Sequence, residues 1–169
     1  MAEQPPLPKT EHGFCAPFPI DSVPWREHQE GERFGLRWRP IGRHGGATQV
    51  GVEICELAPG RQSWPTHYHM VEEEQILILQ GAATLLLGGK SYRMKAGDYV
   101  CFPAGQPAGH AMVNHGTEPC RYLVVGTASE KEVVVYTDSH KVGVRLLGVR
   151  YPMDRTMEYW EGEGADAPA

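Results

Sequence analysis

The chain has 169 residues, 41% of them hydrophobic and 22% charged, so it can bury one sizeable core but is short for two full domains. Sixteen Lys and Arg against 21 Asp and Glu give a formal charge of −5, which offers no positive field to a phosphate backbone or an anionic bilayer and disfavours nucleic acid and membranes as partners. Twenty glycines and 14 prolines make the chain rich in turns.

The opening, Met1 to Thr10, has neither the basic nor the apolar region of a secretory signal. No later run approaches the ~18 apolar residues of a membrane span, so a cytoplasmic location is expected. Cys15, Cys55, Cys101 and Cys120 lie far apart with no Cys-x-x-Cys pair, which removes support for a structural zinc site or a dithiol redox motif. Free thiols acting as small apolar side chains are expected instead.

Residues 1–33 are rich in proline and polar side chains without a helical period, and read as an N-terminal arm. From Phe34 short alternating runs take over and define the domain, 34–150. Phe34, Leu36 and Trp38 share one face, and Val50, Val52 and Ile54 share the next apolar phase, which stops at Ala58-Pro59-Gly60. Gln75–Gly81 and Ala83–Leu87 follow, and then Gly88-Gly89, a dipeptide suited to the positive φ angles of a tight hairpin. Tyr92–Met94 returns, and Tyr99–Phe102 ends at Pro103, which cannot donate to a sheet ladder. Ala111–Val113, Tyr122–Gly126 and Glu132–Tyr136 complete a strand series spaced by about ten residues, the rhythm of an all-β sandwich or barrel. Residues 151–169 form a C-terminal extension ending in a polar, solvated tail.

Among eight histidines, His67, His69 and His110 sit at strand edges within this series. His67 and His69 are two apart, so on an extended strand both imidazoles leave the same face and Tyr68 leaves the other. Glu72-Glu73-Glu74 follows, and imidazole with carboxylate is a ligand mixture for first-row transition metals. Unbroken alternation would select Glu73; a count of six back from Gly81, a spacing implied by family resemblance, selects Glu74, with Ile76 and Ile78 in phase behind it and a turn at Val71-Glu72 resetting the alternation. Glu72 and Glu73 then read as a solvated acidic edge. Met112, Tyr122 and Phe102 read as packing and Asn114 as a turn closure, while Trp64 could rim the pocket. His115 is out of phase with His110 and is left outside the site.

Gly60, His67-x-His69, four residues to Glu74 and six to Gly81 resemble the first motif of the cupin superfamily. Gly97, five residues to Pro103-x-Gly105, then His110 and three residues to Asn114 resemble the second. Two loops depart in length: six residues separate Gly60 from His67, and four separate Gly105 from His110. Arg121–Gly126, Val133–Ser139 and Met157–Glu163 are also similar to small single-domain bacterial cupins. The resemblance implies a double-stranded β-helix, a jelly-roll-type barrel, with one divalent metal held by His67, His69, Glu74 and His110. It also implies a homodimer.

Four such ligands leave up to two positions of an octahedral ion open, which suits Fe, Mn or Ni better than Zn, the alternative. The expected function is a metal-dependent enzyme on a small oxygenated substrate that chelates the metal, of dioxygenase or isomerase/lyase type; the alternative is a non-catalytic small-molecule sensor. The motifs identify no separate catalytic residue.

Overall fold

A computed structural model describes residues 7–164 of the chain. The parts of the arm at 1–6 and of the tail at 165–169 lie outside the described residues. The strands in order are β1 (Arg26–Glu30), β2 (Phe34–Arg39), β3 (Val50–Leu57), β4 (His67–His69), β5 (Glu74–Gln80), β6 (Ala82–Leu87) and β7 (Lys90–Lys95). They continue with β8 (Tyr99–Phe102), β9 (His110–Val113), β10 (Cys120–Thr127), β11 (Val133–Tyr136), β12 (Lys141–Val144) and β13 (Val149–Pro152). Among the described residues the one α-helical turn, α1 (Ile41–His44), joins β2 to β3.

The strands form two antiparallel sheets, β1-β2-β3-β10-β5-β8 and β13-β12-β11-β4-β9-β6-β7. Their apolar faces meet in one core: Cys55, Leu57, Ile76, Ile78, Phe102 and Tyr122 from the first sheet pack with Ala83, Leu85, Met94 and Met112 from the second. Gln62 bridges Phe34 on one side and Val113 on the other, which links the sheets at one end. The chain is therefore all-β with the double-stranded arrangement expected of it.

The turn chemistry explains the hairpins. Gly88 and Gly89 both have positive φ, 56° and 78°, and close β6 on β7 with Leu87 opposite Lys90. Gly81, between β5 and β6, needs glycine twice over: φ is 75°, and an added Cβ would lie 2.7 Å from the Pro119 carbonyl oxygen.

Two readings are corrected. The sheet begins inside the expected arm, because Arg26–Glu30 pairs with β2; all five of its residues are exposed, so no hydrophobic pattern marked it. The C-terminal β12 and β13 hairpin extends the second sheet across the boundary at 150, with β13 running to Pro152. The inward phase of β3 is Gly51, Glu53, Cys55 and Leu57, whereas Val50 is exposed. The opposite phase is apolar because α1 covers it, with Gly42 so close that a Cβ would stand 2.9 Å from the Val52 nitrogen.

All four cysteines are free; Cys55 and Cys120 are buried, Cys101 is half-buried and Cys15 is exposed. Among the described residues no helix is long and apolar enough to cross a membrane.

Candidate metal centre

The second sheet brings the histidines together through register. His67 on β4 is paired directly with His110 on β9, and on its other side with Tyr136 on β11. The ring centroids of His67 lie 5.0 Å from His69 and 4.8 Å from His110. One ligand nitrogen from each of the three falls within 4.8 Å of the other two. Both imidazoles of the His-x-His pair face one cavity, which Tyr68 does not line.

Glu74, the first residue of β5, approaches from the opposite sheet. Its Oε2 is 3.5 Å from His69 Nε2 and its Oε1 is 3.7 Å from His110 Nε2. The residues between His69 and Glu74 are bent rather than extended, which resets the alternation. Glu73 turns elsewhere, its Oε1 accepting a hydrogen bond from Gln75 Nε2 at 2.9 Å.

The donor set suits a cation. His67 Nδ1 donates to the Pro65 carbonyl at 2.7 Å, which leaves the Nε2 lone pair available. Both ring nitrogens of His69 and of His110 are buried without a hydrogen-bond partner. Buried polar atoms are otherwise almost always paired, so the unpartnered Nε2 atoms of His69 and His110, both facing Glu74, fit residues arranged for an ion. The electrostatics agree. Burial, helped by the neighbouring His110, lowers the His67 imidazole to about 4, so it is neutral at pH 7. Burial opposes the charge on Glu74, but the nearby His110 and His69 imidazoles outweigh it and hold the carboxyl well below the usual carboxylate range.

Sequence reasoning missed a second layer. Glu72, expected at a solvated edge, is buried. Its carboxylate makes a paired contact with the Arg145 guanidinium and accepts from the Ser129 N–H at 2.6 Å. Glu132, fully buried, accepts from the N–H groups of Met70 at 2.9 Å and Glu72 at 2.5 Å. Both carboxylates stand near His69 Nδ1, at 3.7 Å for Glu72 and 3.6 Å for Glu132. Arg145 and the backbone donors already balance this acidic pair, which flanks His69 without a hydrogen bond to it. Glu132 sits in a polar Glu-Lys-Glu run and carries no local signal; only the fold brings it there.

The other assignments divide clearly. Phe102, Met112 and Tyr122 are core, and Phe102 also lies flat on His110. Asn114 closes a turn, donating from Nδ2 to the carbonyls of Leu57 and Glu118. His115 is exposed, and Trp64 lines the cavity.

That cavity has a volume of about 540 Å³ and is lined by His67, His69, Glu72, Glu74, Glu53, Trp64 and Tyr136 among others. Four cations also line it: Arg43, Lys141, Arg145 and Arg150. A formal charge of −5 for the whole chain thus coexists with four cations gathered beside three carboxylates, Glu53, Glu72 and Glu74, at this one cavity.

Residues 53–126 match the Cupin domain family. No curated protein matches the chain by sequence. Among solved structures, a sugar phosphate isomerase of the cupin superfamily from Silicibacter pomeroyi is 30% identical, with a TM-score of 0.75 over 88% of this chain and 100% of that one. A protein from Acidithiobacillus ferrooxidans, provisionally named a sugar phosphate isomerase, is also 30% identical, with a TM-score of 0.69 over 73% of this chain and 81% of that one. A polyketide cyclase from Streptomyces resistomycificus shares the fold at 22% identity and a TM-score of 0.57, covering 69% of this chain and 81% of that one. With its two-sheet architecture, its paired motifs and these relatives, the chain belongs to the cupin superfamily.

Proposed function

We propose that the chain is a metal-dependent isomerase of a small phosphorylated sugar. The observation that carries this reading is one cavity holding both the imidazole cluster and the cations Arg43, Lys141, Arg145 and Arg150. The first group suits a metal that a carbonyl and its neighbouring hydroxyl can chelate; the second suits a phosphate at the other end of the substrate. The relatives named as sugar phosphate isomerases support the choice of substrate class.

His67, His69, Glu74 and His110 would hold one divalent transition ion, Fe, Mn or Ni in preference to Zn. The ion would act as a Lewis acid on a carbonyl oxygen. Lys141, which sits 4.9 Å over the Tyr136 ring, and Arg150 are the cations available to a phosphate at the mouth. Arg145 is engaged by Glu72 and serves mainly to hold the wall. Glu72 and Glu132 place negative charge behind the His69 ring.

The test is metal analysis of untagged protein together with an isomerisation assay over aldose and ketose phosphates of three to six carbons. The expected results are about one ion per chain and turnover of at least one sugar phosphate, with turnover lost in His67→Ala and His110→Ala while circular dichroism is unchanged. Arg150→Ala is expected to raise KM by roughly tenfold with little change in kcat, the pattern of a group that binds ground state and transition state alike. Tight binding of a sugar phosphate without turnover under any metal would replace the enzyme by a sensor.

A further inference from the structure

Isomerisation of a sugar needs a group that moves a proton between adjacent carbons, and the sequence motifs supply none. Three carboxylates line the cavity: Glu53, Glu72 and Glu74. Glu74 is enclosed by His69 and His110, and Glu72 is tied to Arg145 and to the Ser129 N–H. Glu53 differs from both. Among the described residues its carboxylate has no hydrogen-bond or ion-pair partner, and the side chain is half-buried with access to the cavity.

Register accounts for its position. On β3 the inward phase runs Gly51, Glu53, Cys55, and across the sheet Glu53 is paired with Val124 of β10, itself paired with Ile76 of β5. The adjacent inward row is Gly51, Gly126 and Glu74. Two glycines therefore occupy the row beside Glu53 on the way to the imidazole cluster, and they leave room there for a ligand. A carboxylate on the core-facing phase of a strand, without a partner, costs stability unless something else uses it.

Resting on the isomerase reading above, we propose that Glu53 is the general acid/base of this site. Its carboxylate takes the proton from the hydroxyl-bearing carbon next to the sugar carbonyl. The C–H electron pair becomes the carbon–carbon double bond of an enediolate, and the carbonyl π pair moves onto its oxygen. Glu53 then returns the proton to the former carbonyl carbon, while the hydroxyl proton passes to the neighbouring oxygen. The product is the isomeric sugar and the carboxylate is regenerated, with no oxidant or reductant consumed. Burial, and next the charge of Glu74, raise the Glu53 carboxyl, against weaker opposition from Arg43 and Arg26, which makes it a better proton acceptor than a free carboxylate.

The experiment uses the metal-loaded full chain in D2O with glucose 6-phosphate, mannose 6-phosphate, ribose 5-phosphate and glyceraldehyde 3-phosphate as probes. The wild type is expected to place solvent deuterium on the carbon that was the carbonyl. Glu53→Gln is expected to lose ~100-fold or more in kcat, with metal content and KM within about threefold of wild type, and Glu53→Asp to recover part of the rate. A Glu53→Gln protein within about threefold of the wild-type kcat overturns the assignment while the isomerase reading stands. Loss of metal along with activity also overturns it, since Glu53 would then be structural. Failure of the wild type on every probe removes the isomerase reading for these substrates and the assignment with it.

Discussion

Phe102 lies flat against His110, with ring centroids 3.8 Å apart and planes only 6° from parallel. No hydrogen bond holds either ring nitrogen of His110, so this stacking is what orients the imidazole. Phe102→Leu keeps a bulky apolar side chain but not the flat surface. Metal affinity, measured by competition with a chelator, is expected to fall ~10-fold, within the range for losing an outer partner of a ligand, while the protein stays folded.

Glu132 pins the bend that carries the chain from His69 to Glu74, through the N–H groups of Met70 and Glu72. In Glu132→Gln one of these backbone N–H groups would face an amide NH2 in place of a carboxylate oxygen. The expected cost is ~1–3 kcal/mol by urea denaturation, accompanied by faster amide exchange confined to residues 70–73.

Gly51 faces the cavity, and an added Cβ would meet only the Gly126 carbonyl oxygen, at an ordinary contact of 3.7 Å. Gly51→Val should therefore fold and fill space that a ligand needs. Its melting temperature is expected to be within a few degrees of wild type, with sugar phosphate binding by calorimetry weakened at least about tenfold.

Glu56 is buried on the outer side of β3 and accepts from Arg37 Nε at 2.8 Å and Arg121 Nε at 2.6 Å. Burial raises its carboxyl, but the two guanidinium groups outweigh that and bring it below the ordinary 4.5. A carboxyl with a depressed folded-state value stabilises the protein above the unfolded value, and that contribution is lost as the pH falls through the folded one. Glu56→Gln is expected to be destabilised by about 1–2 kcal/mol at pH 7, since both arginines are partly exposed. The gap to wild type should shrink below about pH 4.5 in paired urea titrations.

The strand series from Phe34 to Tyr136 was legible because alternation and turn residues are local properties. The Gly88-Gly89 hairpin shows this well: its chemistry and its register agree. The imidazole cluster was legible through spacing, and Glu74 through its distance from Gly81 in the cupin motif, while the bend after His69 explains why alternation alone points to Glu73. Glu53 was hidden because both faces of β3 are covered, one by the core and one by α1, so the apolar residues did not identify the inward side. Glu132, Arg145 and the cations of β12 and β13 were hidden for another reason. Their positions depend on long-range pairing of short strands whose sequences show little alternation.

The four candidate ligands are divided between the two sheets, with His67, His69 and His110 on one and Glu74 alone on the other. The gap between carboxylate and imidazoles is therefore a gauge of sheet separation, and that separation is set by the side chains packed behind them, such as Ile76, Ile78 and Leu85. A close-packed interior transmits strain rather than absorbing it. Enlarging Leu85, a core side chain between the sheets, would wedge them apart and retune which ion radius the four groups can span.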